Sequence, residues 1–192
     1  GRLKAAEWLL VTGVTSGVGV VALQVAKALG AKVIGTSGSA QKLERLKPLG
    51  LDLALATRSA DFSAQVLQAT GGRGADLCVN YFGGAASAAG IHTNRFARSL
   101  HVARPIDGSL KAELDLDALH SRRLTVFGVS NKLRNSTQRA ATMRGFAASI
   151  LPMLADGRIQ PLIDRVFAFD ELPAAKQRME ANAHVGKIVI TM

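Results

Sequence analysis

Residues 8–38 read WLLVTGVTSGVGVVALQVAKALGAKVIGTSG, and the succession of residue types in this stretch decides the fold. An apolar, β-like run from Trp8 to Val11 breaks at Gly13. The chain then reaches the small cluster Ser16-Gly17-Val18-Gly19, and an apolar helical face begins at once. The order is strand, tight turn, helix. Small residues in such a turn let a diphosphate approach backbone N–H groups, and the following helix turns its positive end and unpaired donors toward that anion. Thr15, Ser16, Gly17, Val18 and Gly19 are therefore candidate diphosphate-binding residues. The spacing departs from a strict G-x-G-x-x-G, because Val14 and Ser16 stand where two glycines would be, so context has to carry the assignment. The helix after Gly19 repeats apolar residues at Val20, Val21, Leu23, Val25, Ala26 and Leu29 with polar Gln24 and Lys27 between, as suits a helix packed on a sheet. Gly30 marks its stop. KVIGTSG then supplies the parallel strand of a right-handed βαβ unit. The alternative is a βαβ unit that binds no ligand.

The alternation continues along the chain. Ser39 is placed to cap a helix through Leu49 that Gly50 ends, and Leu51 to Ala56 reads as a third strand. Asp61 caps a helix that stops in the turn Gly71-Gly72-Arg73-Gly74. Ala75 to Asn80 gives a fourth strand, Gly83-Gly84 breaks it, and Ser99 to Ala103 gives a fifth. A helical segment from Leu114 to His120 leads to a sixth, Arg123 to Val129. The pattern predicts an α/β fold with a doubly wound parallel sheet, the Rossmann arrangement, over residues 1–130. Residues 131–192 read differently: a long helix ending near Gly157, a strand over Leu162 to Phe169, a helix begun by Asp170 and a final strand GKIVITM. Six strands already complete the sheet, so this α+β extension is expected to form a separate layer.

Composition narrows the function classes. Across 192 residues, 48% apolar, no run approaches the length of a membrane span. The single cysteine, Cys78, lies in the apolar run DLCV, which excludes an internal disulfide and a cysteine-rich zinc site. No secretory signal opens the chain, and with the lone thiol this predicts a cytoplasmic protein. The net charge of +10 favours a polyanionic partner, whether cofactor phosphates, nucleic acid or an acidic surface. Aromatic side chains, which a single-strand binder needs as stacking platforms, are scarce. His92 and His101 have no partner at ligand spacing. No Ser/His/Asp grouping, paired carboxylates or HExxH motif appears, so hydrolase chemistry has no residues to carry it and no catalytic residue or metal site is assigned.

The strings EWLLVTGVTSGVGVVALQVAKALGAKVIGTSGSAQKLERLKPLG, DFSAQVLQATGGRGADLCVN, RRLTVFGV and LPMLADGRIQPLIDRVFAFDELPAAKQRMEANAHVGKIVITM cover nearly the whole chain. Through them the chain resembles the nucleotide-binding half of the medium-chain dehydrogenase/reductase superfamily, in its zinc-independent quinone oxidoreductase branch. The resemblance implies that a barrel-like N-terminal domain carrying much of the substrate pocket precedes the position of Gly1. The chain is then either an excised cofactor domain, expected to be inactive alone, or part of a larger enzyme, and the segment after Asn131 would return to pack on that domain.

Cofactor choice rests on the second strand's end, Gly35-Thr36-Ser37-Gly38-Ser39, with Lys42 one turn into the next helix. An NAD enzyme of this topology places Asp or Glu there to hold the ribose hydroxyls. No carboxylate stands here to repel a 2′-phosphate, Ser37, Gly38, Ser39 and Lys42 are the candidate contacts, and the segment is similar to the family's GTxGTxxK, which serves NADPH. NADP(H) is the expected cofactor; Lys42 as a plain solvated helix lysine is the alternative. The resemblance also carries departures. Thr57 stands where the family has a tyrosine beside the adenosine phosphate. Tyr81 and Phe82 follow the fourth strand near the expected nicotinamide ribose, where small residues are usual. Arg104 and Pro105 follow Ala103 where a glycine usually admits the nicotinamide, and Val129 and Asn131 are the implied contacts after the sixth strand.

These readings imply an NADPH-dependent oxidoreductase that passes hydride to a quinone or an α,β-unsaturated carbonyl. Two alternatives stand beside it: the enoyl reductase domain of a polyketide or fatty acid synthase, and a non-catalytic NADPH- or RNA-binding module. The family implies a homodimer paired through residues 124–128, the sheet edge.

Overall fold

The computed structural model describes residues 2–59, 62–80, 94–102, 113–129 and 132–192, with residues 94–102 described by their backbone alone. The expected strands form in the expected order: β1 (Trp8–Val11), β2 (Lys32–Ser37), β3 (Leu53–Ala56), β4 (Ala75–Asn80), β5 (Asn94–Val102) and β6 (Thr125–Gly128). They pair in parallel as β3-β2-β1-β4-β5-β6, a doubly wound sheet whose order reverses between β1 and β4. Among the described strands β6 is an edge.

The near-continuous apolar runs are explained by burial on both faces. Along β1 side chains alternate: Leu9 and Val11 pack with Val20, Leu23 and Ala26 of helix α1 (Gly17–Ala28). Leu10 points the other way, against Ile34, Phe62, Val66 and Cys78. Helix α3 (Ser63–Ala69) and helix α4 (Leu116–Ser121) supply Val66 and Ala118 to that second face. Cys78 is wholly buried there, and burial pushes its thiol up to about 12, as befits a packing residue.

Three helices differ from expectation, two of them because of a proline. The helix from Ser39 divides into α2 (Ala40–Glu44) and a 3-10 turn over Lys47–Leu49, because Pro48 has no N–H to donate to Glu44 four residues back. The long C-terminal helix divides in the same way into α5 (Ser136–Ser149) and α6 (Leu151–Ala155), with Pro152 in the first turn of the second piece. Asp170 falls in a 3-10 turn over Phe169–Glu171, and helix α7 (Leu172–Glu180) follows. The expected cap Asp61 lies outside the described residues. So do Gly83, Gly84, His92 and Pro105, and the side chain of His101.

The last strands, β7 (Ile163–Ala168) and β8 (Lys187–Thr191), form a two-stranded parallel sheet of their own rather than extending the larger one. No helix among the described residues is long and apolar enough to cross a membrane. Leu10 is 0% exposed at the centre of β1. Leu10→Ala should lower unfolding free energy by about 2–5 kcal/mol, read as a reduced denaturant midpoint at unchanged slope.

Candidate functional site

The site forms where β1 ends. Val14 N–H donates to Thr36 O (3.0 Å) and Gly13 N–H to Thr36 Oγ1 (3.3 Å), fastening the turn to β2. On the other side the buried Thr12 Oγ1 donates to Asn80 Oδ1 (2.7 Å), tying the ends of β1 and β4 at the reversal point, where doubly wound sheets open a ligand crevice.

Helix α1 lies unusually close to this turn. A Cβ on Gly19 would meet Gly13 O at 2.5 Å and Val14 Cα at 2.7 Å, so only glycine lets the helix backbone touch the turn that follows β1. Ser16 is the N-cap, its Oγ accepting from Gly19 N–H (3.0 Å), while its own N–H donates to Gly13 O (3.0 Å). Of the candidate amides Ser16 to Gly19, the first and last are thus satisfied internally. That of Val18 has no acceptor among the described residues and remains at the helix's positive end, while the parallel bridge between Ser16 and Gly186 sets the Gly17 N–H against Gly186 O.

The C-terminal segment reaches this turn. Gly186 N–H donates to Thr15 O (3.0 Å) and bridges Ser16. Its φ of +81°, together with Leu162 O standing where a Cβ would have to go, restricts the position to glycine. Lys187 follows, its N–H donating to Leu162 O (2.9 Å). Its Cδ, Cε and Nζ cross Gly17, all 2.7 Å from a Cβ placed there. A cation therefore lies over the glycine turn, with no carboxylate partner among the described residues. Beside it a cavity of about 260 Å³ opens between Gly17, Val21, Phe146, Ile150, Leu154 and Lys187.

Around β2's end the structure gathers Thr15, Ser37, Ser39 and Thr57. Thr15 Oγ1 and Ser37 Oγ are hydrogen-bonded (3.3 Å), Ser39 N–H donates to Ser37 Oγ (3.3 Å), and Thr57 N–H donates to Ser37 O (2.9 Å). Lys42 stands one turn on, but its ammonium donates to the backbone oxygen of Asn182, in the loop before β8, and to Asn182 Oδ1 (3.3 Å). Burial draws that ammonium below its ordinary value; Asp164 opposes the shift and Arg178 and Arg45 add to it. Lys42 is neither free nor merely solvated. Arg58, which sequence reasoning passed over, lies across Gly38: Nε would be 2.5 Å from a Cβ there.

Val129 directly follows the edge strand β6, three places from β1 and apart from the β2 cluster. Tyr81, Phe82, Ala103, Arg104 and Asn131 lie outside the described residues. Among those described, no three His, Cys, Asp or Glu side chains gather as a metal site.

Asp164 anchors the loop that carries Asn182 and Gly186. Its carboxylate, 1% exposed, accepts from Arg178 Nε (2.6 Å), Arg45 Nη1 (2.9 Å) and Val185 N–H (3.2 Å). His184 sits against this group with its Nδ1 buried and unpaired among the described residues; burial and the neighbouring Lys42 hold its pKa low.

Residues 17–144 match the family described as zinc-binding dehydrogenase. The chain belongs to that family, and its architecture is that of the medium-chain dehydrogenase/reductase cofactor-binding domain. It is 32% identical over 192 residues to a phenolphthiocerol/phthiocerol polyketide synthase of Mycobacterium tuberculosis, covering 100% of this chain and 9% of the synthase. A mycobacterial protein complexed with NADPH aligns with a TM-score of 0.85 at 23% identity, over 100% of this chain and 59% of that one. The CurK enoyl reductase aligns at 0.78 and 22%, over 100% and 56%. At these identities the structural likeness is one of fold. The chain thus spans a small part of its curated relative and little more than half of the solved chains.

Burial alone would raise the Asp164 carboxyl, but hydrogen bonds from Arg178, Arg45 and Val185 outweigh it and hold it at about 2. Its folded pKa lies below the unfolded value of about 3.9, so its stabilisation is present above that pH and is lost as pH falls toward 2. Asp164→Asn should therefore cost on the order of 2 kcal/mol at neutral pH and leave a smaller loss of stability on acidification, measured by urea unfolding from pH 7 to pH 2.

Proposed function

We propose that this chain is the cofactor-binding part of an NADPH-dependent reductase of activated carbon–carbon double bonds, of the enoyl reductase type that polyketide synthases carry. The observation that carries the reading is the turn at the β1/β4 reversal: the amide of Val18, unpaired among the described residues, stands at the start of a 12-residue helix whose bare Gly17 lies beneath the ammonium of Lys187. The chemistry of that donor set fits a diphosphate, since an N–H group and a cation converge on a surface kept bare of side chains by Gly17 and Gly19. The second strand supports a phosphorylated ribose, ending in Ser37 and Ser39 hydroxyls and no carboxylate. The match of the whole chain to a polyketide synthase supports the enoyl acceptor over a quinone, the acceptor that the sequence strings favour.

A bound nicotinamide supplies the hydride, and the protein's work is to bind it, orient it and keep water away. Gly17 and Val18 hold the diphosphate, the β2 end holds the adenosine ribose, and the crevice between β1 and β4 sets the direction of the chain between them. Residues outside those described, Tyr81, Phe82, Ala103, Arg104 and Asn131 among them, complete the nicotinamide end in this proposal. The segment 131–192 faces a substrate-binding domain, and the free edge of β6 pairs with a second copy. The protein acts in the cytoplasm.

Fluorescence titration tests the cofactor: NADPH should bind saturably and more tightly than NADH, and Gly19→Val should abolish binding of both. Equal affinities would remove the ribose-phosphate reading, and no binding would remove the dinucleotide reading. In the full gene product, NADPH oxidation should run faster with a short enoyl thioester than with a benzoquinone; the reverse order would make the protein a quinone reductase.

A further inference from the structure

We propose that residues 182–187 form a proton-gated clasp: with the His184 ring neutral the tail stays closed on the head of α1, and a proton on that ring shifts it toward release. The loop is gripped at three points. The ammonium of Lys42 donates to the backbone oxygen and to Oδ1 (3.3 Å) of Asn182, Val185 N–H donates to Asp164 Oδ1 (3.2 Å), and Gly186 N–H donates to Thr15 O (3.0 Å). His184 stands between the first grip and the other two. A displacement of its ring is therefore felt on both sides, and Gly186 and Lys187 are drawn along with it.

The surroundings of the ring suit its neutral form. Nδ1 is buried and has no partner among the described residues, so a proton there would be a buried donor without an acceptor. Lys42 faces the ring from α2, Arg178 from α7 and Asp164 from β7. The Asp164 carboxylate is already engaged by Arg178 Nε (2.6 Å), Arg45 Nη1 (2.9 Å) and Val185 N–H, which leaves it little to offer an imidazolium. Burial first and then Lys42, with Arg178 adding, hold the ring below its ordinary pKa against the pull of Asp164 and of a hydrogen bond with the Arg178 backbone. A ring released to water takes a proton near its ordinary value of about 6.5, whereas the closed ring takes one only at lower pH. Closure is thus fully favoured above that value and loses ground as pH falls through the closed ring's own pKa. Val185 is 0% exposed in the core with Leu9 and Val11, so the proton shifts a balance rather than melting the tail. Asp164, held at about 2, keeps its charge throughout this range. Because Lys187 leaves Gly17 when the clasp opens, a bound dinucleotide loses a cation; that consequence rests on the dinucleotide reading, and the clasp itself does not.

Amide exchange followed by mass spectrometry tests the clasp in the full gene product without cofactor, at pH values from about 7.5 to about 5.5 and corrected for intrinsic rates. Wild type is compared with His184→Gln and His184→Phe, and residues 75–80 of β4 serve as the internal control. Wild-type protection over residues 183–187 should fall about threefold or more across this range while that of β4 holds, and in both variants it should be independent of pH. NADPH affinity should fall about threefold more in wild type than in either variant, a comparison in which the ligand's own titration cancels. Flat protection in wild type, or an equal fall in the variants, overturns the clasp. If protection follows His184 and NADPH binds at no pH, the clasp stands and the dinucleotide reading falls. If NADPH binds with the same pH dependence in all three proteins, the clasp is not coupled to the site and that part of the proposal is overturned.

Discussion

The contact on which the rest depends is the bare backbone approach of Gly19 to Gly13 and Val14. Because no side chain intervenes, α1 begins where β1 ends, and its first turn faces the reversal point of the sheet rather than solvent above it. Any Cβ at Gly19 would lift the helix away from the strand and carry the Gly17 and Val18 amides with it. Burial then locks the arrangement, since Val20, Leu23 and Ala26 pack on Leu9 and Val11 from that starting point. The chemical potential of the site is thus fixed by a packing constraint before any ligand is considered.

Around this contact two layers of residues converge that are far apart in sequence. The tail of the chain reaches the turn through Gly186 and lays Lys187 over Gly17, while the end of β3 sends Arg58 over Gly38. Both use the same device, a glycine whose missing side chain makes a seat for a long cationic one. The result is a strip of cations above a row of backbone donors, a field that draws in a doubly phosphorylated ligand. Asp164 is the buried acid in this neighbourhood, and its charge is absorbed by Arg45 and Arg178 rather than offered to the site.

The fold was legible because its signals are local. Leu9 to Val11 alternate between two apolar faces, Ser16 and Ser39 are short oxygen-bearing caps, and a glycine closely follows β1, α1, β2 and α3. The turn and the β2 end could be found in the same way, since each lies within a few residues of a recognisable strand. In two of the three helices that differed, proline was the cause: Pro48 and Pro152 each remove one donor inside an otherwise helical pattern. Lys187, Asn182 and Arg58 could not be placed at the site from one sequence, because their positions depend on tertiary contacts between distant segments. A signal was present in Gly186-Lys187, where a glycine ahead of an apolar strand marks close backbone approach, but nothing local says which backbone is approached. The same lack of tertiary information made Lys42 look available when Asn182 holds it.

One smaller feature ties these layers together. Gln24, buried on α1, donates through Nε2 to Gln160 O (2.8 Å) and accepts at Oε1 from Gln160 N–H (2.8 Å), so a side-chain amide imitates a backbone pair and rivets the helix to the segment leading into β7. With Gly186 attached to Thr15 at the head of the same helix, α1 is gripped twice by the chain's final quarter. The tail cannot peel off one bond at a time. It must release both grips at once, so slow amide exchange in that region should rise and fall in concert with the protection of α1 itself.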